Sequence, residues 1–301
     1  MLLFRRSFAM PSIGAYYTLV DHAHSAFRVR IEHGRGVACD EAMMFPAVAW
    51  SGYGDRPRLD VVLRGRVRDV ENGVVRWLTP GDYAIGRALD SLYMRIEGDE
   101  VLLLSIEYNL GSLGTSAPIG LPTGALASAA VADITADAEE LLRVGRGPNQ
   151  DAIVAGAIGR LFARLRAEGV PFDAWRARDL VVPVAPALQR VADALGSSLS
   201  NIGGAPGTRD LEQALGVSRR RVSQLVGELA SRYGMNGMDW RTMRDRWRVG
   251  SSLLAMSNPR ARTEDVAAAV GYQSANAFCH AYRQANLPSP GSVRTELARL
   301  L

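Results

Sequence analysis

The chain of 301 residues contains no lysine; all 35 of its basic residues are arginine. It has only two cysteines and four histidines. Cys39 and Cys279 fall in segments read below as different domains, so no structural disulfide is expected. Cys39 has no neighbouring Cys or His with which to hold zinc. No apolar run approaches the ~20 residues that span a bilayer, so no membrane segment is expected. The start, Met1-Leu2-Leu3-Phe4-Arg5-Arg6, places its charges after the apolar stretch, the wrong order for a secretory leader, and the cytoplasm is the expected compartment. There is no P-loop, no nucleotide-binding glycine run and no nucleophile elbow. No catalytic residue is nominated, no cofactor is expected, and the chain is read as a non-enzyme.

What is present is an ordinary globular composition, 48% hydrophobic and 22% charged, long enough for two or three domains. The net charge of +4 is unevenly divided. From residue 200 onward 14 arginines face 8 acids, a balance of +6, while the first 199 residues carry 21 arginines against 23 acids. A basic excess at one end suits neutralisation of phosphate.

Residues 12–112 are β-rich. Strands are expected at Arg28–Ile31, Leu59–Leu63, Val74–Leu78 and Val101–Ile106, separated by turn residues such as Glu71-Asn72-Gly73 and Thr79-Pro80-Gly81-Asp82. A connector, Ser116 to Gly124, leads into helical segments at Ala125–Val144, Asp151–Glu168 and Ala187–Leu195. The second of these places Ile153, Val154, Ile158, Leu161, Phe162 and Leu165 on one face, and is the candidate for dimerisation. Ser197 to Thr208 reads as a linker. The rest is helical.

That last part states one pattern twice. Asp210-Leu211-Glu212-Gln213-Ala214-Leu215-Gly216-Val217-Ser218 returns as Asp265-Val266-Ala267-Ala268-Ala269-Val270-Gly271-Tyr272-Gln273-Ser274, with Leu211 to Val266 and Gly216 to Gly271 each 55 positions apart. Each copy is a short apolar helix, a turn opened by Gly, and a Ser able to cap a second helix: a helix-turn-helix pattern. Behind Ser218, the spacing of Val222, Leu225, Val226 and Leu229 predicts one buried face; behind Ser274, Phe278, Ala281, Tyr282 and Ala285 supply it. An amphipathic segment from Trp240 to Leu254 joins the copies.

This segment resembles the DNA-binding domain of the AraC/XylS family of bacterial transcription regulators. The match is densest at Val266 to Phe278, continues through His280-Ala281-Tyr282-Arg283, and ends on Ser289-Pro290 and Arg294; Leu211, Ala214 to Ser218 and Gly234 fit the first copy. Asn286-Leu287, Val293 and Gly250 depart from the family pattern, and Gly250 in an exposed helix interior would cost ~1 kcal/mol relative to Ala. The resemblance implies base contacts from Arg220, Ser223 and Gln224 in the first copy and from Asn276 and His280 in the second. Arg219, Arg221 and Arg283 are assigned to phosphates. Val222, Phe278 and Tyr282 are assigned to the core.

The fold class so implied is α+β: a β-rich cupin-like barrel over 1–115 as sensor, a helical dimerisation segment over 124–199, and an all-α DNA-binding domain over 205–301 with motifs at about 208–232 and 263–285. The partners are double-stranded DNA and, by resemblance, RNA polymerase, with control by a small-molecule effector or through a homodimer. Two alternatives stand beside it: a cupin-type enzyme carrying an appended DNA-binding domain, and a regulator controlled by a partner protein without an effector. His22-Ala23-His24 with Glu32 or His33 resembles a metal cupin motif, but Glu32 lies eight positions past His24 and no further His follows His33 until His280, so no metal is assigned.

Overall fold

The structure, a computed structural model, describes residues 1–24, 27–37, 57–71, 74–87, 95–108, 123–144, 150–170, 184–200, 202–233, 239–293 and 295. Cys39, Asn72-Gly73, Gly234, Arg294 and the Ser116–Pro122 part of the connector lie outside the described residues. The expected order holds: strands first, then helices packed on them, then an all-helical end.

Among the described residues eight strands form one antiparallel sheet: β1 (Leu2–Met10), β2 (Ala15–Ala23), β3 (Phe27–Arg35), β4 (Pro57–Glu71), β5 (Val74–Leu78), β6 (Asp82–Arg87), β7 (Arg95–Tyr108) and β8 (Thr123–Ala125). Their order is β1-β2-β3-β7-β4-β6-β8, with β5 paired to β4. The helices are α1 (Ser128–Arg143), α2 (Gln150–Ala167), α3 (Pro186–Ser200), α4 (Thr208–Leu215), α5 (Arg219–Arg232), α6 (Trp240–Met256), α7 (Thr263–Ala269) and α8 (Ala275–Gln284).

Strand alternation sends the side chains of the sheet to two different environments. Phe27, Val29 and Ile31 of β3 join Leu102, Leu104 and Ile106 of β7 in a core closed by α1 and α2. On α2 the expected stripe is buried except for Ile153, which is 44% exposed and sits at its edge. Arg160 and Arg164, still partly in solvent, pair with Asp137 of α1.

The opposite face is charged and also buried. Register places Arg30 beside Asp21 on one side and Ser105 on the other, and Ser105 beside Asp60. Arg30 Nε donates to Asp21 Oδ1 at 2.9 Å and Arg6 donates to Asp21 Oδ2 at 3.1 Å. Arg30 and Arg28 lie 3.4 and 3.6 Å from Glu107, and Arg58 lies 2.7 Å from Asp60. Glu32 accepts from the Tyr17 hydroxyl at 2.6 Å. Four guanidiniums (Arg6, Arg28, Arg30, Arg58) thus meet four carboxylates (Asp21, Glu32, Asp60, Glu107), all at most 4% exposed. Burial of each ion is costly, and mutual pairing is what makes the array tenable.

This face explains what the sequence reading missed at the start of the chain. The β-rich region begins at residue 2, not 12, because Arg6 is buried in β1 as an ion-pair member. Leu2, Phe4, Phe8 and Met10 beside it pack with Tyr17 and Leu19 against α3 and the C-terminal helices in one continuous core. Ser197 to Ser200, expected in a linker, continue α3, with Leu199 fully buried. Further bonds tie sheet to helices: Arg28 to the Tyr233 carbonyl at 3.1 Å, Asn258 Nδ2 to the Gly36 carbonyl at 3.0 Å, and the Arg6 guanidinium 4.9 Å from the centre of the Trp247 ring.

The histidines do not converge. His22 faces away from the charged array, 3.2 Å from the Leu141 carbonyl, while His24 stacks on Phe27. His33 lies 2.6 Å from Glu100. Among the described residues no three or more His, Cys, Asp or Glu are grouped to hold a metal ion, and no helix is long and apolar enough to cross a membrane.

Two buried groups set a pH dependence. Burial drives His22 down to about 4, against the opposing pull of the Leu141 carbonyl and Asp21. Burial pushes Asp21 up, but Arg30, Arg28 and Arg6 outweigh it and hold it at about 2. Both folded-state values lie below the unfolded ones, so both contributions are present at neutral pH and lost on acidification. The His22 contribution, roughly 3 kcal/mol, disappears between pH 6.5 and about 4, and that of Asp21 below about 4. Urea unfolding at successive pH values should therefore show two descending steps, and His22→Gln should remove the upper one only.

Candidate nucleic-acid interface

Two helix pairs repeat the same local construction. In the first, α4 ends on Gly216 in the left-handed conformation (φ 65°), and the Val217 N–H reaches back to the Glu212 carbonyl at 3.3 Å. In the second, α7 leads to Gly271 (φ 81°), and the Tyr272 N–H reaches the Ala267 carbonyl at 2.8 Å. Each turn then presents a serine cap: Ser218 Oγ accepts from the Arg221 N–H at 3.5 Å, and Ser274 Oγ from the Ala277 N–H at 3.2 Å. The second turn is one residue longer between Gly and Ser.

Counted from its serine, each helix matches the other. Val222 and Phe278 are fourth, Val226 and Tyr282 eighth, and all four are buried at 1% exposure or less. Arg220 and Asn276 are both second, Gln224 and His280 both sixth, and all are exposed. Arg219, Arg221 and Ser223 are exposed as well. Arg221 reaches towards Gln224 at 3.5 Å, so the two share a face of α5. Arg283, also exposed, lies seven residues beyond Asn276, about 10 Å along the helix axis, and does not join the cap-end group.

Three consecutive arginines in the first turn of α5 oppose the helix dipole, whose positive end is there. The arrangement works against the isolated helix. It suits an anion arriving from outside, held by side chains and the helix end together.

The departures from the family pattern have local explanations. Asn286 adopts φ 55° after α8, the conformation in which glycine usually ends a helix, and Leu287 behind it donates to the Tyr282 carbonyl at 3.0 Å. Val293 is fully buried. Gly250 is buried in α6 rather than exposed, so the cost attached to a solvated glycine does not apply as stated.

The linking helix α6 carries residues whose roles sequence reasoning missed. Trp247 is 1% exposed, and its Nε1–H donates to the Leu199 carbonyl at 2.9 Å. Arg248, at 8% exposure, donates from Nε to the Val270 carbonyl at 2.7 Å and from Nη2 to the Gly271 carbonyl, with its guanidinium 3.8 Å from the Tyr272 ring centre. It therefore caps the second turn from a neighbouring helix. The only sequence signal was four arginines in eight residues, Arg241, Arg244, Arg246 and Arg248.

Known proteins resemble the chain only at low similarity. No family model and no curated protein matches the chain. Among solved structures, ToxT from Vibrio cholerae O395 is 10% identical over 90% of this chain and 98% of its own, with a TM-score of 0.34. An unsaturated fatty acid-bound ToxT from strain SCE256 is 11% identical over 90% and 95%, with a TM-score of 0.32. A cupin protein from Bacteroides fragilis is 19% identical over 31% of this chain and 73% of its own, with a TM-score of 0.24. At scores this low, function is read from the chain's own geometry.

The two turn glycines should respond differently to alanine. At Gly216 a Cβ meets nothing within 4 Å, whereas at Gly271 it would lie 2.6 Å from the Ile202 carbonyl and 3.1 Å from that of Gly203. Gly216→Ala is expected to cost about 1–2 kcal/mol through its left-handed backbone alone. Gly271→Ala adds a backbone clash and should cost roughly 3 kcal/mol or more by denaturant titration. Arg248→Ala should cost about 2–3 kcal/mol by leaving two carbonyls short of a donor, and Arg248→Lys should recover little because it lacks the planar fork. Hydrogen exchange at the Val270–Tyr272 turn would report the local loosening.

Proposed function

We propose that the chain is a sequence-specific binder of double-stranded DNA that regulates transcription. It would place α5 and α8 in successive major grooves, about one helical turn apart. The observation that carries this reading is the matched pair of serine-capped helices, with buried residues at equal offsets and Arg220/Asn276 and Gln224/His280 exposed at equal offsets. These side-chain types suit base edges: arginine is bidentate to guanine, and asparagine or glutamine to adenine. Ser223 supplies an adaptable hydroxyl beside them. Arg219, Arg221 and Arg283 hold the backbone and set register.

In this reading the sheet is the regulatory part. It touches the reading units through Arg28 at the end of α5 and through Arg6 over Trp247 in α6. A small-molecule effector or a second copy of the chain acts by favouring one arrangement of these contacts over another, which requires different affinities for the two. The AraC/XylS resemblance extends the proposal to activation through RNA polymerase.

Selection of genomic fragments on the purified protein, with competitor DNA and at two salt concentrations, tests the core of the proposal. The expected result is a motif of two short blocks about one turn apart that stays enriched at higher salt. Sequence-blind retention that vanishes with salt would refute it. The combined substitution of Arg220→Ala, Gln224→Ala and Asn276→Ala should then erase preference for that motif, each base contact being worth roughly 1–3 kcal/mol of discrimination. The melting temperature should stay close to that of the parent, since all three side chains are exposed, and non-specific affinity should fall only by the one charge lost with Arg220.

A further inference from the structure

A cavity of about 450 Å³ opens between the N-terminal half of α6 and the outer face of α8. One wall carries Arg244, Arg246 and Arg248, and the other His280 and Gln284. Ala277 and Ala281 of α8 also line it, small side chains that leave the space open. Among the described residues the only carboxylate in the lining is Asp245, already 2.7 Å from Arg244 and 3.9 Å from Arg241. Three guanidiniums against one shared carboxylate give this space an excess of positive charge. The excess also comes with order. Arg248 is pinned by the Val270 and Gly271 carbonyls and by Tyr272, and Arg244 is held by Asp245 and by the Pro206 carbonyl at 3.4 Å.

Clustered like charges weaken a folded domain unless something offsets them. Guanidiniums fixed in advance are efficient receivers of a tetrahedral oxyanion, because little side-chain freedom is left to lose on binding. The cavity is the size of a small-ligand site, ample for a phosphate with an attached sugar. Its rim includes His280, one of the proposed base-reading residues, so an anion seated here lies beside the second reading helix.

We propose that this cavity is an oxyanion site that seats a backbone phosphate of the DNA read by α8, held by Arg244 and Arg246 with Arg248 as a fixed charge in its wall. This rests on the DNA-binding reading above. It gives the second helix, which has one exposed arginine of its own against three at the start of α5, a backbone clamp supplied by its neighbour.

The test measures binding of the full chain to its selected duplex and to an unrelated duplex across a salt series. Arg246→Gln should lower the slope of log affinity against log salt by about one and weaken both duplexes by a similar factor, as expected for a lost phosphate contact. Arg143→Gln, which removes an exposed charge on α1, should leave the slope unchanged. Asp245→Asn, which keeps every arginine, should tighten both duplexes and guards against a folding defect in the first variant. In a second arm, inorganic phosphate is titrated into the DNA-free protein and followed by thermal melting. Saturable stabilisation that depends on Arg246, with the DNA slope unchanged, would retain an oxyanion site but replace DNA by a free anion as its source. An unchanged slope and no Arg246-dependent response to phosphate would overturn the site. If the parent fails to bind any duplex, the DNA-binding reading falls and the phosphate arm alone decides the cavity.

Discussion

Arg30 has no route to solvent, and much of the molecule follows from that. Fully enclosed between Asp21, Glu32 and Glu107, it commits one face of the sheet to ionic pairing and leaves the other to an apolar core with α1 and α2. A shift of one residue in β2 or β3 would turn these charges into the hydrocarbon side, so the array also holds the register of the strands. Its edge members reach beyond the sheet: Arg6 lies over Trp247, and Arg28 takes the carbonyl that ends α5. The same buried charges that stabilise the strand order therefore help to dock the helical layer.

The two helix-turn-helix units share a pattern but not a setting. The first turn is open around Gly216, while the second is enclosed, with Gly271 against the Ile202–Gly203 backbone and its carbonyls taken by Arg248. Because α6 also anchors Trp247 to the Leu199 carbonyl, the second unit, the linking helix and the end of α3 form one interlocked block. Close-packed contacts of this kind have few intermediate arrangements.

Most of the helical half was legible in the sequence because its signals are local. Ser218 and Ser274 cap where a hydroxyl before an apolar stripe predicts, and Val222, Phe278 and Tyr282 are buried where a period of 3.6 places them. The eight residues assigned to DNA are all exposed, which follows from that same period. The misreadings share one cause. Arg6 and Arg248 are charged yet enclosed, and Ile153 is apolar yet exposed; composition reports the preference of a side chain, not the partner it finds. β1 was missed because Met1 to Arg6 were weighed only as a leader, with Arg5 and Arg6 as charges after an apolar stretch. The role of Arg248 was invisible because its acceptors lie 22 and 23 residues further along the chain.

By itself the sequence determined where the two serine-capped helices start and which of their faces is apolar, that one helix-turn-helix pattern is repeated at a spacing of 55, and that the basic excess lies in the last third. These depend on neighbours within a turn or two, or on simple summation of charge. Only the tertiary structure decided which arginines point outward and which are buried in ion pairs, which of two similar glycines is crowded, and that α6 and α8 enclose a positively lined cavity. The reason is physical. A guanidinium is stable either in water or against a carboxylate or carbonyl, and only the fold brings distant partners within 3 Å of it.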